Sequence, residues 1–174
     1  MGLLTAGLLS RLRLVPAKAV LAGLTVSILA GGTGYLMATQ GAQTEALAVH
    51  AELAGVRMEV HKSPGCTCCE GFIAALKEQG AAVLVQEVTE EELSRFKAAQ
   101  GIDPALQSCH TTLVAGYVVE GHVPFEAIAK LLREKPALEG IALPGMPIGT
   151  PGMPGQKTEP YRIKMLSGEE YVTL

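Results

Sequence analysis

The chain has no tryptophan, only 4% aromatic residues and no cluster of basic side chains. A domain without a cationic patch is a poor nucleic-acid binder, so no nucleic-acid partner is expected. There is also no Ser-His-Asp array, no phosphate-binding glycine loop and no H-E-x-x-H pair, which leaves the common hydrolase and nucleotide chemistries without their residues. Charge is missing from one long stretch. No charged residue occurs from Ala19 to Thr39, and the next charge after Lys18 is Glu45.

That uncharged run of 21 residues is long enough to span a bilayer and accounts for the high mean hydropathy of +0.30. Arg11, Arg13 and Lys18 precede it, which places the N-terminus in the cytoplasm and the remainder outside. Ala46-Leu47-Ala48 has the form of a peptidase site but lies far beyond the run, so both a secreted form and one anchored in the inner membrane through residues 19–39 stay open. No twin-arginine pair is present. Residues 1–44 carry three of the 14 basic residues and none of the 17 acids, so the exported part has a formal charge of −6. The expected organisation is a signal peptide or signal-anchor with tether over 1–44, a linker over 45–55 and a folded domain over 56–174. At 174 residues the chain suits one domain plus such an addition.

Cysteine is scarce and concentrated. Three of the four fall at Cys66, Cys68 and Cys69, in Ser63-Pro64-Gly65-Cys66-Thr67-Cys68-Cys69-Glu70. Cys66 and Cys69 form a C-x-x-C at a strand-to-helix turn. Unpaired N–H groups and the positive dipole end of a helix ease thiol ionisation there. Three thiolates so close repel unless a cation sits among them, and such a cluster favours Cu(I), Zn or Fe–S. A C-x-x-C disulfide with one spare thiol is the alternative, since exported cysteines usually pair.

Around this turn the pattern is α/β. Val56, Met58 and Val60 alternate with Arg57, Glu59 and His61 as a half-buried strand, and Phe72, Ile73, Ala75 and Leu76 make a helical stripe closed by Gly80. Residues 82–88 form a second strand. Thr89-x-x-Glu92 is a capping box for a second helix with Leu93 and Phe96 inward. An irregular link over 102–108 leads to a hairpin through Gly116, then a third helix after Pro124 and a final hairpin about Ser167-Gly168. The order βαβ, helix, ββα is thioredoxin-like, with a Pro/Gly/Met-rich C-terminal extension. In such folds the loop before the third strand faces the C-x-x-C and usually carries a cis-proline; here that place holds Cys109-His110-Thr111. Neighbours in an extended strand face opposite ways, so Cys109 and His110 reach one site only if the chain turns between them. A disulfide from Cys109 to one of the other three cysteines is also open.

His122, between Gly121 and Pro124, stands at a loop position suited to a ligand or proton carrier, ahead of His110 and of His61. Pro144-Gly145-Met146-Pro147 recurs as Pro151-Gly152-Met153-Pro154. Met146 and Met153 occupy identical frames in loops without periodicity. They are either soft thioether ligands or apolar plugs.

Together, His61 to Cys69, Cys109-His110-Thr111, Gly116 to Pro124 and the doubled Pro-Gly-Met-Pro resemble the CopG-like copper-resistance proteins over about residues 56–174. The sequence departs from that family at Gly71-Phe72, where tryptophan is frequent, and at Pro154, where an acid is common. The resemblance implies a periplasmic thioredoxin-like domain with copper ions bridged by the cysteines. It further implies a role in copper tolerance, interconversion of Cu(I) and Cu(II), and exchange with other copper-handling proteins. The candidate copper ligands are Cys66, Cys68, Cys69, Cys109, His110, His122, Met146 and Met153. A thiol–disulfide oxidoreductase using Cys66 and Cys69 is the competing class. If residues 19–39 export the domain, a reporter fused after Leu174 is active only outside the cytoplasm; activity inside overturns the topology.

Overall fold

The computed structural model describes Gly41 and residues 43–174. The export segment expected over 19–39 lies outside the described residues, among which no helix is long and apolar enough to cross a membrane. The chain divides after Thr44, and the unit described below is Glu45–Leu174.

One seven-stranded mixed sheet organises this unit. Its strands are β1 (Arg57–Lys62), β2 (Ala82–Glu87), β3 (His110–Val114), β4 (Tyr117–Glu120), β5 (Gly140–Ala142), β6 (Arg162–Met165) and β7 (Glu170–Thr173), in the spatial order β2-β1-β3-β4-β5-β6-β7. The helices are α1 (the helical residues 45–53 of this unit), α2 (Thr67–Glu78), α3 (Glu90–Ala99) and α4 (Phe125–Glu134). Parallel neighbours cannot be joined by a tight turn, so α2 carries the chain from β1 to β2 and α4 helps carry it from β4 to β5. β3 and β4 need only Ala115-Gly116, whose φ values of 49° and 88° are both positive, as a two-residue hairpin of this hand requires.

The alternation read in β1 is present, with Met58, Val60 and Lys62 buried and Arg57, Glu59 and His61 on the other face. Met58 and Val60 share the main core with Phe72, Ile73 and Leu76 of α2, Ile128 and Leu131 of α4, and Val119, Ile141 and Ile163 from the sheet. Beneath the opposite face, Ile102 and Leu106 cover Val118, Ala142 and Leu166. Adjacent Val118 and Val119 thus belong to different cores, as the two-residue period of a strand dictates.

Four details differ from the sequence reading. First, α2 begins at Thr67, not near Phe72, so Cys68 and Cys69 are inside its first turn. The apolar stripe marks only the buried face of a helix, and its start is set by backbone capping. Second, α3 has the expected capping box, with Leu93 buried and Phe96 stacked on His61 of β1 with ring centroids 3.8 Å apart, but Lys97 is buried as well. Third, the link after Gly101 contains a short 3-10 helix, Pro104–Leu106, capped by Asp103. Fourth, the three-residue β5 was not foreseen. It lets the C-terminal hairpin β6–β7, which was foreseen, extend the same sheet.

Residues 45–53, within the stretch read as a linker, are helical; Val49 and Leu53 enter the main core while His50 is exposed. Leu53→Ala is expected to destabilise the domain by about 2–5 kcal/mol, as for other buried leucines, measured by chemical denaturation.

Candidate metal centre

The first half of the centre is the N-terminal turn of α2. A loop through Gly65, whose φ of +75° favours glycine, brings the chain from β1 to Cys66. Cys66 is the N-cap residue, and its side chain makes no capping hydrogen bond. Cys68 and Cys69 follow where the helix's free N–H groups and dipole favour negative charge. Lys62 secures this turn from below. Its buried Nζ lies 2.7 Å from Glu70 Oε1 and 2.6 Å from Glu87 Oε1, and it donates to the Ser63 carbonyl at 3.3 Å. The hydrogen bond it donates to Glu70, then that to Glu87, raises the lysine's pKa, so it stays charged.

Of the two thiol arrangements left open by the sequence, the structure contains a Cys66–Cys69 disulfide, with Cys68 and Cys109 free. The Cys68 sulfur is 3.5 Å from that of Cys66 and 3.8 Å from that of Cys109. No disulfide joins Cys109 to the other three.

Cys109, the second half, lies in a bend just before β3. Ser108, its predecessor, donates its N–H to Glu120 Oε1 at 2.6 Å, and its carbonyl accepts from Lys97 Nζ at 2.6 Å. Lys97 also pairs with Glu120 Oε1, and Thr111 donates to Glu120 Oε2 at 2.6 Å. One buried carboxylate therefore ties α3 to both sides of the Cys109–His110 step. Burial raises its pKa, and the charge and hydrogen bond of Lys97 oppose the rise. The bend resolves the strand-parity difficulty, because Cys109 Sγ comes within 3.4 Å of His110 Nδ1 and 3.0 Å of His122 Nε2.

Both histidines are buried. His122 Nδ1 is 2.7 Å from the Pro151 carbonyl, which can only accept, so Nδ1 carries the proton and Nε2 presents its lone pair toward Cys109. A carbonyl behind a histidine is a common device for orienting a metal ligand. Desolvation lowers the pKa of His122, with the Pro151 contact opposing it, and desolvation followed by the charges of His122 and Lys97 holds His110 well below its usual value. Both rings are thus neutral at pH 7, as ligation demands. His110 Nε2 has no hydrogen-bond partner among the described residues. Phe72, in the position noted as a departure from the family's tryptophan, packs on both rings with centroids 4.4 Å and 5.8 Å away.

The two Met frames differ. Gly152 of the second lies on the first turn of α2 so closely that a Cβ there would stand 2.4 Å from the Cys68 carbonyl oxygen and 2.6 Å from Phe72 N. Met153 beside it is half-buried, whereas Met146 is 52% exposed on a loop whose Gly145 carbonyl accepts from Ser108 Oγ at 2.6 Å. His61, placed behind His122 and His110, lies with its Nε2 2.8 Å from Glu59 Oε1 on the sheet face away from His110.

Six predicted residues therefore converge. Cys66, Cys68, Cys69 and Cys109 form one group and Cys109, His110 and His122 another, the donor atoms within each lying within 4.8 Å of one another. Cys109 belongs to both. Burial, then the neighbouring Cys68 thiol, pushes its pKa up to about 12, so the thiol is protonated at pH 7 and a binding cation would displace that proton to solvent. Lys62, Lys97, Ser108, Glu120 and the Pro151 carbonyl escaped the sequence reading. For Lys62 a signal existed: it occupies the inward phase of β1, where an unpaired charge is untenable.

Fold and centre define a mixed α/β protein with a Cys/His site able to hold a soft metal ion. Two solved structures of a copper resistance protein, CopG Form 2 and Form 1, match with TM-scores of 0.60 and 0.59 at 35% identity, each over 69% of this chain and 98% of theirs. The family described as "Protein of unknown function, DUF411" matches residues 106–153, a span holding Cys109, both buried histidines and both loop methionines but not the Cys66–Cys69 turn. No curated protein matches. The chain belongs to the CopG family of copper resistance proteins.

Lys97→Met, which strands the Glu120 carboxylate, is expected to cost about 3–5 kcal/mol by chemical denaturation. Adding Glu120→Gln, which removes the charge but keeps an acceptor for Ser108, is expected to restore part of that loss.

Proposed function

We propose that this protein is an exported copper-binding protein of copper tolerance, holding Cu ions among Cys66, Cys68, Cys69, Cys109, His110 and His122. The observation that carries the reading is the meeting of a four-sulfur group with a Cys/His/His group through Cys109, which belongs to both, in a relative of a copper resistance protein. The donors fit the cargo. Thiolates suit Cu(I), imidazoles serve either oxidation state, and a centre containing both can exchange Cu(I) and Cu(II). Met153, near the α2 turn, and Met146, at the exposed rim, are the further thioether ligands of this proposal.

The proposed frame is thioredoxin-like. Supporting it are the order β2-β1-β3-β4, the β1–α2–β2 crossover and the placement of a C-x-x-C at the start of α2 opposite the loop before β3. The proposed location is the periplasm, either free or held to the inner membrane through residues 19–39, with other copper-handling proteins as exchange partners. This rests on the basic-then-apolar N-terminus.

The Cys66–Cys69 disulfide favours a second reading, a thiol–disulfide oxidoreductase. In that chemistry Cys66 is attacked and Cys69 leaves, while Cys68 is a bystander. In a copper centre all three thiolates serve. Cys68→Ser is therefore expected to lower copper content and copper tolerance as much as Cys66→Ser. Met146→Leu with Met153→Leu, a swap that conserves volume, is expected to weaken copper binding and leave the thermal melt within a few degrees of wild type. Copper per protein beside a melt for each variant checks both. Full copper and tolerance in Cys68→Ser with loss in Cys66→Ser would establish the oxidoreductase.

A further inference from the structure

The disulfide and the sulfur group occupy the same atoms, and this has a chemical consequence. Two of the four sulfurs that converge, Cys66 and Cys69, are bonded to each other. A disulfide sulfur bears no thiolate charge and is a weak ligand, so this form of the protein offers a soft ion two thiols, Cys68 and Cys109, in place of four. From these atoms we infer that copper loading is gated by a two-electron reduction of the Cys66–Cys69 disulfide, so that the protein's reaction partner before copper is a dithiol reductant. The inference rests on the copper reading above.

The geometry assigns the direction of attack. Cys69 is fully buried, with its sulfur 3.9 Å from the Cys109 carbonyl oxygen, whereas Cys66 is only half-buried and caps the helix at the surface turn behind exposed Pro64 and Gly65. An external thiolate therefore reaches Cys66 Sγ. The reductant's sulfur bonds to Cys66, the Cys66–Cys69 bond breaks, and Cys69 leaves as a thiolate at the dipole end of α2. The reductant's second thiol then attacks its own sulfur in the mixed disulfide and frees Cys66. The sum is one dithiol oxidised to a disulfide and one protein disulfide reduced to two thiols, with two electrons and two protons passed to the protein. A monothiol is poorly suited, because Cys69 beneath and the Cys68 sulfur 3.5 Å away can both recapture Cys66 before a second molecule arrives. Once reduced, the chain presents all four cysteines, and copper displaces their protons.

The test uses the full chain in two forms. One is air-isolated, with two reactive thiols expected on denaturation. The other is reduced with dithiothreitol that is then removed under anaerobic conditions, with four expected. Each is titrated with Cu(I) against a chromophoric chelator. The disulfide form is expected to bind Cu(I) weaker by about two orders of magnitude or more, since half of its soft donors are gone. Dithiothreitol is also expected to open the disulfide faster than mercaptoethanol at equal thiol concentration. Equal uptake by the two forms overturns the gate and leaves the copper reading standing. Uptake by neither overturns the copper reading, and the gate with it. Four reactive thiols in the air-isolated chain likewise overturn the gate, because no disulfide would then exist to be reduced.

Discussion

The Glu120 carboxylate, fully buried and paired with buried Lys97, is the constraint on which the centre depends. Two charges out of water are costly unless every hydrogen-bonding position is filled, and here the partners are supplied by the segment that must be placed. Ser108 N–H and carbonyl, Thr111 hydroxyl and the Lys97 ammonium all close on one spot between β3 and β4. Because Thr111 and Glu120 are register partners, Cys109 is held just outside one strand end and His122 just outside the other. The strand ends beside Cys109 and His122 cannot drift apart without breaking that set of bonds.

The second half is fixed differently. Lys62 lies opposite His110 in the β1–β3 register and reaches Glu70 in the turn that carries Cys68 and Cys69. The sheet thus joins the α2 turn to the Cys109 bend through neighbouring residues. The Pro-Gly-Met-Pro loops complete the arrangement from outside. Ser108 bonds the carbonyl of Gly145 in the first, and the second rests on α2 and orients His122 through Pro151. A repeated motif serves two unlike contacts, because each copy meets a different surface.

A centre made in this way can be both rigid and responsive. Its imidazoles are neutral and buried, its framework is paired, and its changeable part is the sulfur group, where disulfide formation and the proposed metal ligation compete for the same atoms. The α2 dipole assists both, since it stabilises a leaving thiolate as well as a ligating one.

Much of this was determined by sequence alone. The period of two in β1, the stripe of α2, the capping box of α3 and the turns at Gly116 and Ser167-Gly168 are local signals, and local backbone physics reads them directly. The cysteine spacing likewise pointed to the sulfur group, and the doubled Met frame to two loops of the extension. Only the tertiary structure decided which donors meet. The bend at Cys109 depends on Lys97, twelve residues earlier, and Glu120, eleven later; the tautomer of His122 depends on a carbonyl at Pro151. The 45–53 helix and the short β5 also find their places only against a core built by distant residues. Paired charges and backbone acceptors leave no periodic trace in a chain, because their partners are chosen by the fold and not by spacing.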